Sequence, residues 1–211
     1  MDWFENFYSV FLQMIKDNYE NSRKRWHNNY TNFINIELMG AYFEKHKFNS
    51  NNEYYRVDAL AWKQFAEKAK ETCRDVNMNP HLWGLSIAFE HENNYKDWYD
   101  EVIKLLYINA PLRVVVGYNR YGDRIDLNSP ENDKNKLVAL CKIIDCLDNK
   151  EELLHNGMLI IIGNCGKRQK DKKYELKEGM EFFGYRGYKL FVENNEVKFT
   201  NLKIDKNTKE N

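Results

Sequence analysis

Residues 112–118 read Leu112-Arg113-Val114-Val115-Val116-Gly117-Tyr118. The run is continuously apolar apart from Arg113 and rich in β-branched residues, so it predicts a short strand buried on both faces. Residues 157–163, Gly-Met-Leu-Ile-Ile-Ile-Gly, repeat the pattern. A strand covered on both sides belongs to a sheet with helices on each face. Helical spacing precedes each run. Residues 94–108 place Trp98, Val102, Leu105 and Leu106 on one side, and residues 131–147 start after Ser129-Pro130, with Pro130 at or near the first helical position. Two such helix–strand pairs imply right-handed crossovers.

Working outward, residues 82–92 (LWGLSIAFEHE) and 53–62 (EYYRVDALAW) read as strands. Asn-Ser-Asn-Asn at 49–52 reads as a loop, and residues 63–76 as a helix that Asn79-Pro80 breaks. Residues 2–20 carry Phe4, Phe7, Tyr8, Phe11, Met14 and Ile15 at helical spacing, and a second helix is expected over 31–45. Near the C-terminus, Gly184, Gly187 and Asn194-Asn195 read as turns, with 188–192 and 197–202 pairing as a hairpin. The expectation is a single α/β domain over residues 1–211, a mixed central sheet flanked by helices. It has a helical N-terminal part (1–48), a core (53–164) and C-terminal strands (174–203) forming a small β-hairpin.

The chain has 211 residues, with Lys+Arg 32 balancing Asp+Glu 32, so it is not a general polyanion binder. Contact with nucleic acid would need a local basic patch. Cys73, Cys141, Cys146 and Cys165 lack the spacing of a zinc site and read as reduced thiols. The acidic start Met-Asp-Trp-Phe-Glu does not resemble a signal peptide, and no apolar run reaches the roughly 20 residues of a membrane helix. A cytoplasmic protein with no membrane partner is expected.

The chemistry concentrates in Ser86-Ile87-Ala88-Phe89-Glu90-His91-Glu92-Asn93. Strand alternation puts Ser86, Ala88, Glu90 and Glu92 on one face and Ile87, Phe89 and His91 on the other. Two like charges at the end of an apolar strand destabilise each other unless a cation joins them. Asp58 lies inside the aromatic strand upstream, where a lone charge is costly. If the two strands are neighbours, Asp58 and Glu90 face one oxygen-rich site suited to Mg²⁺ (or Mn²⁺), which takes one or two carboxylates plus water and phosphate oxygens. Such a site activates water and stabilises phosphoryl charge. On the helix that follows, Glu101 and Lys104 are neighbours at i, i+3, and the Lys104 ammonium could serve the carboxylates.

Asp58 followed by Glu90-x-Glu92 on successive strands, and then a helix, resembles the PD-(D/E)XK nuclease superfamily, which includes many restriction endonucleases. The resemblance covers roughly residues 30–120, with 157–163 as a continuation. It implies a restriction-endonuclease-like core and metal-dependent hydrolysis of phosphodiester bonds. Asp58, Glu90, Glu92 and Lys104 would be the catalytic residues. Some members carry Glu at the motif lysine, as Glu92 here, and others move the lysine to the following helix, where Lys104 stands. The superfamily's further acidic residue, on a helix before the first strand, maps to Glu37, with Glu44 second; Glu37 would join Asp58 and Glu90 at the metal. The chain departs from the pattern in having no lysine in (D/E)xK, Val57 rather than Pro before Asp58, and a long insertion between Asp58 and Glu90. The resemblance implies nucleic acid, DNA first, as partner, and a homodimer fits the commonest soluble assembly.

Plainer alternatives stand beside each residue. Glu90 and Glu92 could end a solvated strand, Asp58 could pair with Arg56, and Lys104 with Glu101 could be an ordinary intrahelical ion pair. His91 reads as a satisfied core or surface histidine rather than a ligand. Lys167, Arg168 and Lys170, in a basic run after a buried strand, could meet phosphates or form a solvated loop. Three functions follow: a metal-dependent nuclease; a catalytically inactive relative that binds nucleic acid or protein; or an interaction protein outside the superfamily, in which Asp58 and Glu90 do not meet.

Overall fold

The computed structural model describes residues 2–18, 30–54, 56–63, 67–78, 84–94, 97–119, 130–164, 167–168, 174–175 and 183–202. Helix α1 (Trp3–Asp17) starts where the Asp2 side chain accepts the Phe4 N–H and satisfies a first-turn donor. Its apolar stripe is buried at Phe4, Phe7, Tyr8, Phe11 and Ile15, as the spacing predicts. Helix α2 joins Tyr30–Asn32, a π-helical segment Phe33–Leu38, and Met39–Lys45. Helices α3 (Glu67–Asp75), α4 (Trp98–Leu106), α5 (Pro130–Asp145) and α6 (Lys150–Leu153) follow. Pro130 is the first residue of α5, where its missing N–H costs nothing.

The strands are β1 (Phe48–Tyr54), β2 (Val57–Lys63), β3 (Leu85–His91), β4 (Leu112–Asn119), β5 (Met158–Asn164), β6 (Lys167–Arg168), β7 (Tyr174–Glu175), β8 (Phe183–Glu193) and β9 (Glu196–Leu202). Seven of them form one mixed sheet in the order β1-β2-β3-β4-β5-β8-β9, while β6 and β7 pair separately. β3, β4 and β5 run parallel, and every other neighbour in the sheet is antiparallel. The α/β class and the mixed sheet flanked by helices are therefore observed. α1 and α2 cover one face, over Ala59, Ile87, Phe89, Val114 and Ile161. α4 and α5 cover the other, over Leu60, Ala88, Val115, Ile160 and Tyr188.

Four local expectations are corrected. Residues 49–52 are not a loop but the middle of β1, paired with β2 from Phe48↔Lys63 to Tyr54↔Val57. This is an edge strand whose side chains are mostly exposed on both faces, so polar residues fit it and no alternation marks it. The single strand expected over 53–62 is divided between the end of β1, where Glu53 has φ 53°, and β2, which Arg56 precedes at φ 61°. Gly184 and Gly187 lie inside β8 rather than at turns. At Gly187 a Cβ would stand 2.8 Å from the Tyr8 ring, so the residue is small to admit α1. The hairpin of β8 and β9, turning at Asn194-Asn195, is not a small appendage: β8 pairs with β5 and extends the central sheet.

Two contacts fix α4, the helix beside the candidate site. A Cβ on Gly117 would lie 2.6 Å from Trp98 Cγ, so only glycine lets the first residue of α4 rest on β4. At the other end, Arg113 is 2% exposed and donates to the carbonyls of Leu105 (3.4 Å), Leu106 (3.2 Å), Leu153 (2.6 Å) and Gly157 (2.9 Å). A cation at the C-terminal ends of α4 and α6 meets both helix dipoles at their negative poles.

Candidate active site

The β2–β3 ladder pairs Ala59 with Phe89 and Leu60 with Ala88; one further step sets Asp58 opposite Glu90. By alternation both side chains point to the α4 side, with Leu60 and Ala88. Asp58 and Glu90 thus stand opposite each other on adjacent strands, close enough for each carboxyl to perturb the other. Glu90 is 2% exposed. Asp58 Oδ2 accepts the His91 backbone N–H at 2.7 Å, and its carboxylate also accepts from the Asn35 side chain.

Lys104 reaches this pair from α4. Its ammonium lies 2.5 Å from Glu90 Oε1, forms an ion pair with Glu101 Oε2, and donates to the Arg56 carbonyl at 2.9 Å. The Lys104–Glu101 pair expected at i, i+3 is present, but the lysine bridges two elements as well. Glu92 continues the β3 face; its N–H bonds the Val116 carbonyl at 2.9 Å, and its Oε1 accepts the Asn94 N–H at 2.6 Å.

Electrostatics follow from crowding in a poorly hydrated space. Burial pushes Glu90 up to about 8, against the pull of Lys104 and with the added repulsion of Asp58 and Glu101. Burial also raises Asp58, despite the hydrogen bonds from the His91 N–H and Asn35. Glu92 is raised by burial, opposed by the Asn94 N–H and reinforced by Glu101, Asp97 and Asp58. Burial works against the Lys104 ammonium, but Glu101 and Glu90 outweigh it and raise its pKa. Four carboxyl groups therefore crowd this end of the sheet, and Lys104 pairs with two of them, Glu90 and Glu101.

Among the described residues, no three His, Cys, Asp or Glu side chains converge as a ready set of metal ligands. The Asp58–Glu90 pair meets the smaller requirement of Mg²⁺, one or two carboxylates with the rest water. A second feature fits such an ion: Asn35, 6% exposed and bonded to Asp58, has a buried Oδ1 without a hydrogen-bond partner. Glu37, expected beside the metal, is exposed on α2, as is Glu44. The π-helical segment turns Asn35 inward instead. Sequence reasoning missed Asn35, although a polar residue among Phe33, Ile34 and Leu38 was a visible signal. It could not have found the Arg56 carbonyl, which depends on the positive-φ turn. Lys167 and Arg168 form β6, antiparallel to Glu175 and Tyr174, beyond the carboxyl end of β5. Their side chains and the whole of Lys170 lie outside the described residues.

On the opposite face, His91 is buried and its Nε2 shares a 2.8 Å hydrogen bond with the Tyr118 hydroxyl. Tyr118 and Tyr30 each bond the Tyr185 hydroxyl at 2.8 Å, and Tyr8 donates to the Tyr185 carbonyl at 2.9 Å. Burial drives His91 down to about 3, so it is a neutral core residue at ordinary pH.

Comparison with protein-family models, with curated proteins and with solved structures returns no match.

Proposed function

We propose that this chain is a metal-dependent nuclease with a restriction-endonuclease-like core, hydrolysing phosphodiester bonds, DNA first, in the cytoplasm. The observation that carries the reading is the placement of Asp58 opposite Glu90 on adjacent antiparallel strands, with Lys104 brought to the pair by the next helix. This is the juxtaposition that the resemblance to the PD-(D/E)XK superfamily implies, and the one a chance motif would not require. It is also the arrangement that the interaction-protein reading did not expect.

Asp58 and Glu90 would hold Mg²⁺ or Mn²⁺, with Asn35 Oδ1 available to a bound water. The ion supplies Lewis-acid stabilisation of the phosphoryl oxygens and a more acidic water. Lys104 and Glu92 lie where they could orient that water, Lys104 as donor and Glu92 as acceptor. Gly117 and Arg113 hold α4 so that the ammonium stays in reach. A homodimer is part of the proposal, since two sites would address two strands.

The second reading, a relative that binds nucleic acid or protein without cutting it, is favoured by Lys104 already pairing with Glu90 and Glu101 and, among the described residues, by no three acidic, His or Cys side chains converging as a ligand set. One experiment decides between them. Mixed DNA and RNA substrates are incubated with Mg²⁺ or Mn²⁺ and wild type, Asp58→Asn or Glu90→Gln protein. Cutting by wild type alone supports the nuclease. Binding of the substrates without cutting by any of the three supports the inactive relative.

A further inference from the structure

Three oxygens surround the Lys104 ammonium: Glu90 Oε1, Glu101 Oε2 and the Arg56 carbonyl. They come from β3, from α4 and from the turn before β2. Two of the three are not part of the Asp58–Glu90 pair. The Arg56 carbonyl is presented by a residue at φ 61°, a backbone state uncommon outside glycine and Asn. The seat is therefore assembled from separated elements, with one strained residue contributing, rather than arising from neighbours along one helix.

Oxygen ligation of this kind is what a hard cation uses. Glu90 is common to the ammonium seat and to the divalent site proposed above. A divalent ion on Asp58 and Glu90 would stand within a few ångströms of a lysine ammonium, and like charges that close repel strongly where water is scarce. Asn35, beside Asp58, keeps a buried Oδ1 that no described group satisfies.

The geometry points to mutually exclusive occupation: Lys104 is a built-in cation that closes the site, and a divalent ion binds only as the ammonium leaves Glu90. The inference rests on the metal-binding part of the proposed function and concerns its regulation. The chain would then be self-inhibited at low metal concentration. Lys104 is about one-third exposed, so its head has an open path outward to solvent or to an approaching phosphate.

Mn²⁺ binding, followed by electron paramagnetic resonance and calorimetry, tests this on the full chain. Lys104→Met keeps the apolar stem and removes the ammonium. It should bind Mn²⁺ at least ten-fold more tightly than wild type. Equal or weaker binding by a folded Lys104→Met protein overturns the exclusion while leaving the metal site standing. No Mn²⁺ binding by either protein overturns the metal site and the exclusion together. A second measurement needs no variant. Lysine acylation read by mass spectrometry should show Lys104 modified several-fold faster when Mg²⁺ is added to wild type. Unchanged or slower modification of Lys104 on Mg²⁺ addition overturns the inference.

Discussion

Two acidic clusters lie on the α4–α5 side of the sheet. In the first, Glu90 faces Asp58, with Glu101 and Glu92 near, and one lysine serves them. In the second, Asp133 of α5 is fully buried, and Asn119, Arg186 and Tyr188 all donate to its carboxylate, Tyr188 at 2.7 Å. Arg186 is steadied further by donating to the Gly184 carbonyl at 2.6 Å, and Lys136 by donating to Asn119 Oδ1 at 2.6 Å. The second cluster is closed: each carboxylate oxygen has its donors and an arginine balances the charge. It ties α5 to β4 and β8 and leaves nothing for a ligand. The first is open: four carboxyl groups stand near one lysine, which pairs only with Glu90 and Glu101. Buried charge alone does not mark a site; charge left without its complement does.

The sharpest way to break this contrast is to remove each acid and ask which one the fold needs. Asp133→Ala strands the Arg186 guanidinium and should cost roughly 3–5 kcal/mol in urea unfolding. A loss below about 1 kcal/mol would mean the closed cluster is not architectural. Arg113→Met, which removes the guanidinium that the carbonyls of Leu105, Leu106, Leu153 and Gly157 share, should cost about 2–3 kcal/mol by the same assay. Gly117→Ala should cost about 1–3 kcal/mol by overpacking against Trp98. It should also tighten Mn²⁺ binding relative to wild type, because shifting α4 draws the competing Lys104 ammonium off Glu90; unchanged binding would separate α4 from that site.

A separate effect is in pH. Folding raises Glu90 from an ordinary 4.5 to about 8, so between those values the folded chain holds a proton the unfolded chain has lost. That contribution is complete below about pH 4.5 and disappears as pH rises through about 8, so metal-free stability declines across this window. Asp58 and Glu92 shift in the same direction. His91, lowered from 6.5 to about 3, gives the opposite slope on the acid side: stability is lost as pH falls below about 6.5 toward 3. Urea unfolding across pH 3–9 should show both limbs, and Glu90→Gln should flatten only the alkaline one.

The open cluster was legible in sequence and the closed one was not, for a physical reason. Asp58, Glu90 and Glu92 break the pattern of apolar strands, and strand alternation alone puts Glu90 and Glu92 on one face. Lys104 was legible through its i, i+3 spacing from Glu101. Asp133, Asn119 and Arg186 are separated along the chain, and each looks like an ordinary surface residue until β8 is placed beside β5. That pairing is long-range and leaves no local mark. β1 was hidden because an edge strand needs no apolar face. Asn35 was hidden because a π-helical segment changes which residues of a helix point inward.

The most direct test of the central claim is Glu90→Gln, measured for both stability and Mn²⁺ binding. Glutamine keeps the shape, removes the ionisable group and leaves only a neutral carbonyl to offer a cation. The account predicts a metal-free melting temperature equal to or above that of wild type, with Mn²⁺ binding lost. A protein several degrees less stable that still binds Mn²⁺ as wild type does would contradict it, and would place Glu90 with Asp133 among the groups that hold the fold together.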